Sequence, residues 1–279
     1  MTLHPICADL DVRLETFPVR DGSLAALVRE PAGPPRSTVL LVPGYTGSKE
    51  DFRLLLDPLA EAGHRAVALD QRGQHQSPGS ADASYTTDAL GADLLAVRDR
   101  LGEGPVHLVG HSFGGLVTRA AVLQRPDAWT SLVLMGSGPA ALTGPRVALF
   151  PLMRPLLEQG MPALVAAMDQ MNAADQRWLA LDASFQAFLR DRMLASSPHA
   201  LLGMADALTG EPDRVQELRA TGLPVLVLHG EADDAWLPDL QAEMAVRLGA
   251  QHAVVPDALH SPATENAEAT AKALLAFWG

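Results

Sequence analysis

The sequence is poor in cysteine, in aromatic residues and in basic residues. Its one cysteine, Cys7, excludes an intramolecular disulfide and the cysteine-rich zinc sites, and we interpret it as an inert residue near the terminus. Aromatic residues make up only 5% of the chain, so Ala, Leu and Val must do most of the core packing. Acidic residues number 33 and basic residues 21, and the net charge of −12 repels phosphate backbones and anionic membrane surfaces. We therefore expect neither a nucleic-acid nor a membrane partner.

Signals for secretion and membrane insertion are also missing. Residues 1–11 lack the basic start and the apolar run of a secretory signal. No uncharged apolar stretch approaches the length of about 18 residues that a transmembrane helix needs. The 279 residues, 48% of them hydrophobic, suffice for one large domain or two small ones with a sizeable core. The composition predicts a globular, cytoplasmic protein.

Short apolar runs closed by glycine or proline alternate with longer helical patterns. The runs lie at 38–42, 66–69, 106–109, 131–135, 225–228 and 253–255, and the helical patterns at 51–62, 88–101, 114–124, 238–248 and 263–277. Continuous apolar runs suit strands buried on both faces, so the alternation predicts an α/β fold with a mostly parallel central sheet and helices on both faces. Residues 20–22 separate two further strand patterns, at 11–18 and 23–29, which predicts an antiparallel hairpin at one edge.

The stretch from 145 to 210 interrupts this alternation. It has Leu, Met and Ala at helical spacing, broken by proline and glycine, and it shows no strand pattern. We expect a helical lid inserted into a core of residues 1–144 and 211–279, because insertions at the carboxyl end of such a sheet lie where ligands bind. The alternative is a helical packing layer with no role in binding.

The sharpest chemical signal is the pentapeptide Gly110-His111-Ser112-Phe113-Gly114. It follows a predicted strand and opens a predicted helix, which is the context that a G-x-S-x-G motif requires. The two glycines remove side chains that would collide in a tight turn, and Ser112 is left exposed at its tip. Ser112 is the predicted catalytic nucleophile, and a glycine-rich turn with a capping serine is the alternative.

A serine hydroxyl needs a base to accept its proton, and that base needs a carboxylate to orient it. His260 follows the last apolar run, so it lies at the same edge of the sheet as Ser112 and is the predicted base. The loop after the run at 225–228 offers two adjacent acids. We prefer Asp233 from its position in that loop, and Asp234 stays open as the alternative.

A tetrahedral intermediate also needs an oxyanion hole. We assign one donor to the backbone N–H of Phe113, directly after the nucleophile. The second is the backbone N–H of Tyr45, in the loop after the strand at 38–42. An ordinary turn with an exposed tyrosine is the alternative reading of this loop.

These elements together resemble the α/β-hydrolase superfamily, over nearly the whole chain from about residue 11 to 278. Residues 70–77 (DQRGQHQS) look like its D-x-R-G-x-G-x-S loop, with His75 at the usual second glycine, and residues 43–45 (PGY) look like its H-G-x oxyanion turn, with Pro43 replacing the histidine. The resemblance implies an esterase- or lipase-like serine hydrolase whose lid lies just before the strand that bears the acid.

Several side chains are candidates for the substrate pocket. Trp236 lies just past the two acids, and Met153 and Met168 come from the predicted lid. Methionine adapts to varied apolar shapes, and packing in the core or against the lid is the alternative use of these residues. The chain has no H-E-x-x-H pattern, and a glycine-rich segment at 136–141 lies mid-sheet with Pro139 inside its turn, so we expect no metal and no cofactor.

The sequence therefore predicts a carboxylesterase-like serine hydrolase that acts on a small-molecule acyl substrate through an acyl-enzyme. A serine at the elbow argues against enzymes that need an aspartate there. A C–C bond hydrolase, a lactonase, a peptidase, an acyltransferase and a cofactor-free perhydrolase with the same triad are alternatives. A non-catalytic ligand-binding protein on the same fold is the alternative from another class.

Overall fold

The computed structural model describes residues 12–279, apart from the side chains of Pro145 and Arg177, so Cys7 lies outside the described residues. Within them, one sheet contains β1 (Arg13–Val19), β2 (Gly22–Arg29), β3 (Ser37–Val42), β4 (His64–Leu69), β5 (Val106–His111), β6 (Ser131–Met135), β7 (Val225–Gly230) and β8 (Gln251–Val255). The strand order is β1-β2-β4-β3-β5-β6-β7-β8. The first two pairings are antiparallel and the other five are parallel. The predicted fold class is confirmed.

The helices connect the strands and cover both faces of the sheet. They are α1 (Arg53–Glu61), α2 (Thr87–Arg98), α3 (Phe113–Gln124), α4 (Phe150–Gln159), α5 (Met161–Asn172), α6 (Gln176–Leu179), α7 (Ala183–Ala195), α8 (Pro198–Gly210), α9 (Val215–Ala220), α10 (Pro238–Leu248), α11 (Pro262–Glu265) and α12 (Ala267–Trp278). Short 3-10 segments lie at Lys49–Phe52, Pro126–Ala128 and Pro145–Leu149. No helix of residues 12–279 has the length and apolarity to cross a membrane.

The central strands are buried on both faces. In β3, Leu40 and Val42 pack into a core cluster shared with α2 and α3, whereas Val39 and Leu41 pack into a second cluster shared with α1 and α12. Successive side chains of a strand point to opposite faces, so an uninterrupted apolar run is what a sheet covered by helices on both sides requires.

Two of the helical patterns begin or divide at a different residue in the structure. The pattern at 263–277 is split at Asn266, which leaves the helical conformation and whose side chain accepts a hydrogen bond from the Ala269 N–H at 3.2 Å as the cap of α12. The pattern at 51–62 begins two residues earlier, in the 3-10 segment Lys49–Phe52. Both differences occur where a local capping contact redirects the chain.

Residues 145–210 contain the 3-10 segment Pro145–Leu149 and the helices α4 to α8. Part of this segment forms a small apolar cluster of its own. The residues just before and just after this segment are held together on the core. The Arg119 guanidinium of α3 donates to the Pro139 carbonyl oxygen at 2.5 Å and pairs with Glu211 at 2.8 Å, and the Ala141 N–H donates to the Glu211 carbonyl oxygen. The division of the chain into a core and a lid remains a prediction.

Candidate active site

The turn between β5 and α3 presents Ser112. Its φ and ψ of 55° and −122° are unusual for a residue with a side chain and identify a strained turn. A Cβ on Gly110 would overlap the Gly114 carbonyl oxygen, and a Cβ on Gly114 would overlap the Val42 carbonyl oxygen. Glycine at both positions is therefore required for strand and helix to approach this closely.

Three side chains from different loops meet at this turn. His260, in the loop between β8 and α11, has its Nε2 3.0 Å from Ser112 Oγ and its Nδ1 3.0 Å from Asp233 Oδ1. The loops that follow β5, β7 and β8 meet because parallel strands end at the same edge of the sheet. The structure thus brings the three residues together in the order hydroxyl, imidazole, carboxylate.

The Asp233 carboxylate is fully buried. Its Oδ1 also accepts the Ala235 N–H at 2.9 Å, and its Oδ2 accepts a hydrogen bond from Gln241 Nε2 at 2.9 Å. Burial by itself raises the pKa of Asp233, but the hydrogen bond and charge of His260, with these two further donors, outweigh it and the pKa is lowered. Asp233 is therefore held as a carboxylate.

Asp234 lies in a different environment. Its side chain is 56% exposed, and its Oδ1 is 2.5 Å from an Arg146 Nη2 at the start of the segment 145–210. The structure therefore brings Asp233, and not Asp234, to His260.

The turn at 43–45 lies against the nucleophile. A Cβ on Gly44 would be 3.0 Å from Ser112 Cβ and 3.5 Å from Ser112 Oγ. The Gln74 side-chain amide donates to the Gly44 carbonyl oxygen at 2.6 Å and to the Tyr45 carbonyl oxygen at 3.0 Å. Since C=O and N–H point in opposite directions in a trans peptide, holding the Gly44 carbonyl also fixes the direction of the Tyr45 N–H.

The loop 70–77 supports that turn. Gln71 donates to the Pro43 carbonyl oxygen at 2.8 Å, and Asp70 accepts hydrogen bonds from the backbone and side-chain nitrogens of Lys49 at 2.7 and 2.8 Å. His75 has a φ of 41°, which explains why a glycine would suit its position. Its ring packs edge-on against Phe188 of α7 at 5.9 Å.

Sequence reasoning missed the supporting residues Gln74, Gln241 and His111. The His111 Nε2 is 2.7 Å from the His260 carbonyl oxygen, and since a carbonyl only accepts, this nitrogen carries the proton. Burial, with the charge of nearby His260, lowers the pKa of His111 to about 4, so the ring is neutral at pH 7. Its place beside Ser112 in the motif was the one available signal, whereas Gln74 and Gln241 had none.

A cavity of about 460 Å³ opens at Ser112 and His260. Trp236 and Met153 line it, together with Leu142, Leu149, Phe150, Phe185 and Leu208. Met168 instead lines a second cavity of about 110 Å³. The reason is helix periodicity, because Met168 continues the stripe of Met161, Leu164 and Val165 that packs inside the segment 145–210. Its prediction as a wall of the main pocket is therefore corrected.

The fold agrees with comparisons to known proteins. The family description "alpha/beta hydrolase fold" matches residues 37–267, so the chain belongs to this family of hydrolases. Among curated relatives, the lipase LipV of Mycobacterium tuberculosis is 35% identical over 147 residues, which are 53% of this chain and 50% of LipV.

A 2-hydroxy-6-oxononadienedioate/2-hydroxy-6-oxononatrienedioate hydrolase of Klebsiella pneumoniae is 35% identical over 115 residues, covering 40% of each chain. The match spans only 34% to 50% of the length of these and similar curated relatives. A solved esterase from Thermogutta terrifontis has a TM-score of 0.76 at 22% identity, covering 96% of this chain and 98% of that one. That likeness shows the fold alone.

Proposed function

We propose that the protein hydrolyses a carboxylic ester or a related acyl bond through an acyl-enzyme, with Ser112 as nucleophile, His260 as base and Asp233 as the orienting acid. The observation that carries the proposal is the pair of 3.0 Å contacts that links hydroxyl, imidazole and buried carboxylate in this order. That order is what activation of a serine requires.

The first half of the reaction transfers the acyl group to Ser112. Asp233 accepts the Nδ1–H of His260, which leaves the Nε2 lone pair to take the Ser112 proton as Oγ bonds to the acyl carbon. The backbone N–H groups of Tyr45 and Phe113 stabilise the negative charge that develops on the carbonyl oxygen. When the bond to the leaving oxygen breaks, His260 returns the proton to that oxygen and the alcohol departs.

The second half releases the acid. A water molecule gives its proton to His260 Nε2 as its oxygen bonds to the acyl carbon. The tetrahedral intermediate then expels Ser112 Oγ, which recovers the proton from His260. The route needs no redox step, and the apolar wall around Met153, Phe150 and Trp236 supports an acyl substrate of low polarity. Residues 145–210 act as the lid of this pocket in the proposal.

C–C bond hydrolysis is the second candidate function. The similarity to the oxononadienedioate hydrolase favours it, since that relative's name describes a carbon chain with a ketone rather than an ester. The same serine and imidazole serve both reactions, so the two candidates differ in substrate and not in the triad.

The test is intact-mass analysis after treatment with a fluorophosphonate, on the wild-type protein and on Ser112→Ala. We expect one adduct on the wild type and none on the variant, with p-nitrophenyl ester hydrolysis reduced by about 10⁴- to 10⁶-fold in the variant. An adduct on the variant, or no adduct on folded wild type, would contradict the nucleophile. Esters, lactones and vinylogous diketones are then assayed side by side to separate the two functions.

A further inference from the structure

The wall of the cavity contains an acid and a base that neutralise each other. Asp51, at the 3-10 segment after the oxyanion turn, is the one carboxylate among the described residues that line the cavity. Its Oδ1 is 2.6 Å from Nη1 of Arg192, which comes from α7 and also lines the cavity. The two residues are 141 positions apart in the chain.

Both partners of this pair are held in place. The Arg192 side chain is only 11% exposed, its guanidinium lies 5.5 Å from the centre of the Phe188 ring, and Ser48 Oγ is 3.5 Å from Nη1. Asp51 uses its second oxygen, Oδ2, to accept the Ser48 N–H at 3.1 Å. The pair is therefore a built part of the wall and not a chance contact of two mobile side chains.

We propose that Asp51 sets the charge preference of the pocket: by pairing with Arg192 it reserves this wall for an uncharged part of the substrate and excludes substrates that end in a carboxylate. An anionic group that reached Arg192 would lose its hydration, meet the Asp51 carboxylate and have to compete with it for the same guanidinium. An uncharged group has none of these penalties and gains contact with the neighbouring apolar side chains.

The second arginine of the cavity does not alter this balance. Arg146 is 40% exposed and pairs with Asp234, which is 56% exposed. Solvent-exposed ion pairs contribute little interaction free energy and are screened by salt, so this pair discriminates only weakly between charged and neutral substrates. Asp51 and Arg192 are the more buried pair and decide the preference.

The inference rests on the proposed function for the identity of the reacting centre, and it distinguishes the two candidate functions. A dioate carries two carboxylates, whereas a simple ester carries none. Because Asp51 neutralises the charge of Arg192, the pocket favours an uncharged ester over a dioate such as the one in the name of the Klebsiella hydrolase.

The experiment compares p-nitrophenyl esters that differ only in the end of the acyl chain. The monoesters of succinate and adipate carry a terminal carboxylate, and their neutral isosteres are 4-methylpentanoate and 6-methylheptanoate. The ester of 4-(trimethylammonio)butyrate carries a cation, and its isostere is 5,5-dimethylhexanoate. Values of kcat/KM are measured for wild type, Asp51→Asn, Arg192→Gln and the double variant.

We expect wild type to prefer each neutral ester to its charged counterpart. Asp51→Asn keeps an oxygen for the Ser48 N–H but frees Arg192, so the carboxylate ester should gain at least about tenfold relative to its isostere, or about 1.4 kcal/mol. Arg192→Gln leaves Asp51 without its cation, so the trimethylammonium ester should gain by a similar factor. The double variant should lose both gains.

Dissociation constants of the same esters are measured by isothermal titration in the Ser112→Ala background, where no turnover is needed. Each charged ester is again compared with its neutral isostere. The proposal is overturned if wild type prefers the carboxylate ester, or if neither substitution changes its ratio by more than about twofold. If Asp51→Asn does not fold, Arg192→Gln alone decides. If only the proposed function fails, we expect no hydrolysis and no fluorophosphonate adduct, while the ratios of dissociation constants still change with Asp51→Asn and Arg192→Gln as described.

Discussion

Asp233 and Asp234 are adjacent in the chain, yet their carboxylates have opposite environments. Asp233 is fully buried and its Oδ1 is 3.0 Å from His260 Nδ1, whereas Asp234 is more than half exposed and pairs with Arg146. In the loop after β7, Asp233 therefore contacts the imidazole of His260, and Asp234 contacts the segment 145–210.

This difference predicts unequal effects of the same substitution. Asp233→Asn should reduce kcat by about 10³- to 10⁴-fold, because an amide can hold His260 in the wrong tautomer. Asp234→Asn, the matched control, should change kcat by less than about threefold, since its partner is an exposed arginine. Steady-state kinetics on one ester compares kcat of the two variants. A larger loss in Asp234→Asn would identify Asp234 as the orienting acid.

Gln74 is expected to act through the oxyanion turn. Gln74→Leu removes one donor to the Gly44 carbonyl, which still accepts the Gly47 N–H, so the Tyr45 N–H is held less firmly and kcat should fall by about 10- to 100-fold while KM changes little. Gln76→Leu is the control, because Gln76 lies in the same loop with an exposed side chain. Equal losses in kcat for both variants would show a general effect on the loop.

His111 is expected to position His260 through the backbone. His111→Leu deletes the donor to the His260 carbonyl oxygen, and the loss of one such bond should lower kcat/KM by about tenfold. His111→Gln retains an N–H donor and should recover part of that loss. The pH dependence of kcat/KM for both variants separates positioning from simple destabilisation, which would lower the melting temperature without moving the profile.

A glycine at the end of β7 controls the loop that carries His260. A Cβ on Gly230 would overlap the Leu259 carbonyl oxygen and lie 2.5 Å from the Ala258 carbonyl oxygen. Gly230→Ala should therefore displace the loop, reduce activity by at least about tenfold and lower the free energy of unfolding by about 1–3 kcal/mol. Gly210 lies at the end of α8, where a new Cβ would have no atom within 4 Å. Gly210→Ala should therefore leave activity unchanged and keep or raise the free energy of unfolding. Thermal unfolding and ester hydrolysis measure the contrast.

Stability should fall as the pH is lowered toward 4. Burial, followed by the charge of His64, lowers the pKa of His107 to about 4, and burial lowers the pKa of His64 as well. Between about pH 6.5 and 4 the unfolded chain binds protons that the folded chain does not, so the contribution is complete above about pH 6.5 and lost on acidification. Melting temperatures of wild type, His107→Gln and the exposed-site control His199→Gln across this range test it. Of the two substitutions, only His107→Gln should reduce the slope of melting temperature against pH.

Much of the architecture follows from local patterns. The uninterrupted apolar runs predicted β3, β5, β6 and β7, because a strand with helices on both sides of its sheet needs apolar side chains at every position. The motif around Ser112 predicted the turn between strand and helix, since its two glycines are a local steric requirement. His260 was predicted from its place after the last strand, and the structure puts it beside Ser112.

What the sequence determined by itself was the alternation of elements, the elbow at Ser112 and the two loops that could supply its partners. Only the tertiary structure decided which of Asp233 and Asp234 faces His260, that Gln74 holds the turn at Gly44, that Met168 packs inside the segment 145–210, and that Arg192 is paired with Asp51. The physical reason is distance along the chain. Secondary structure depends on neighbours within a few residues, whereas these contacts join segments that meet only when the sheet and its helices have packed.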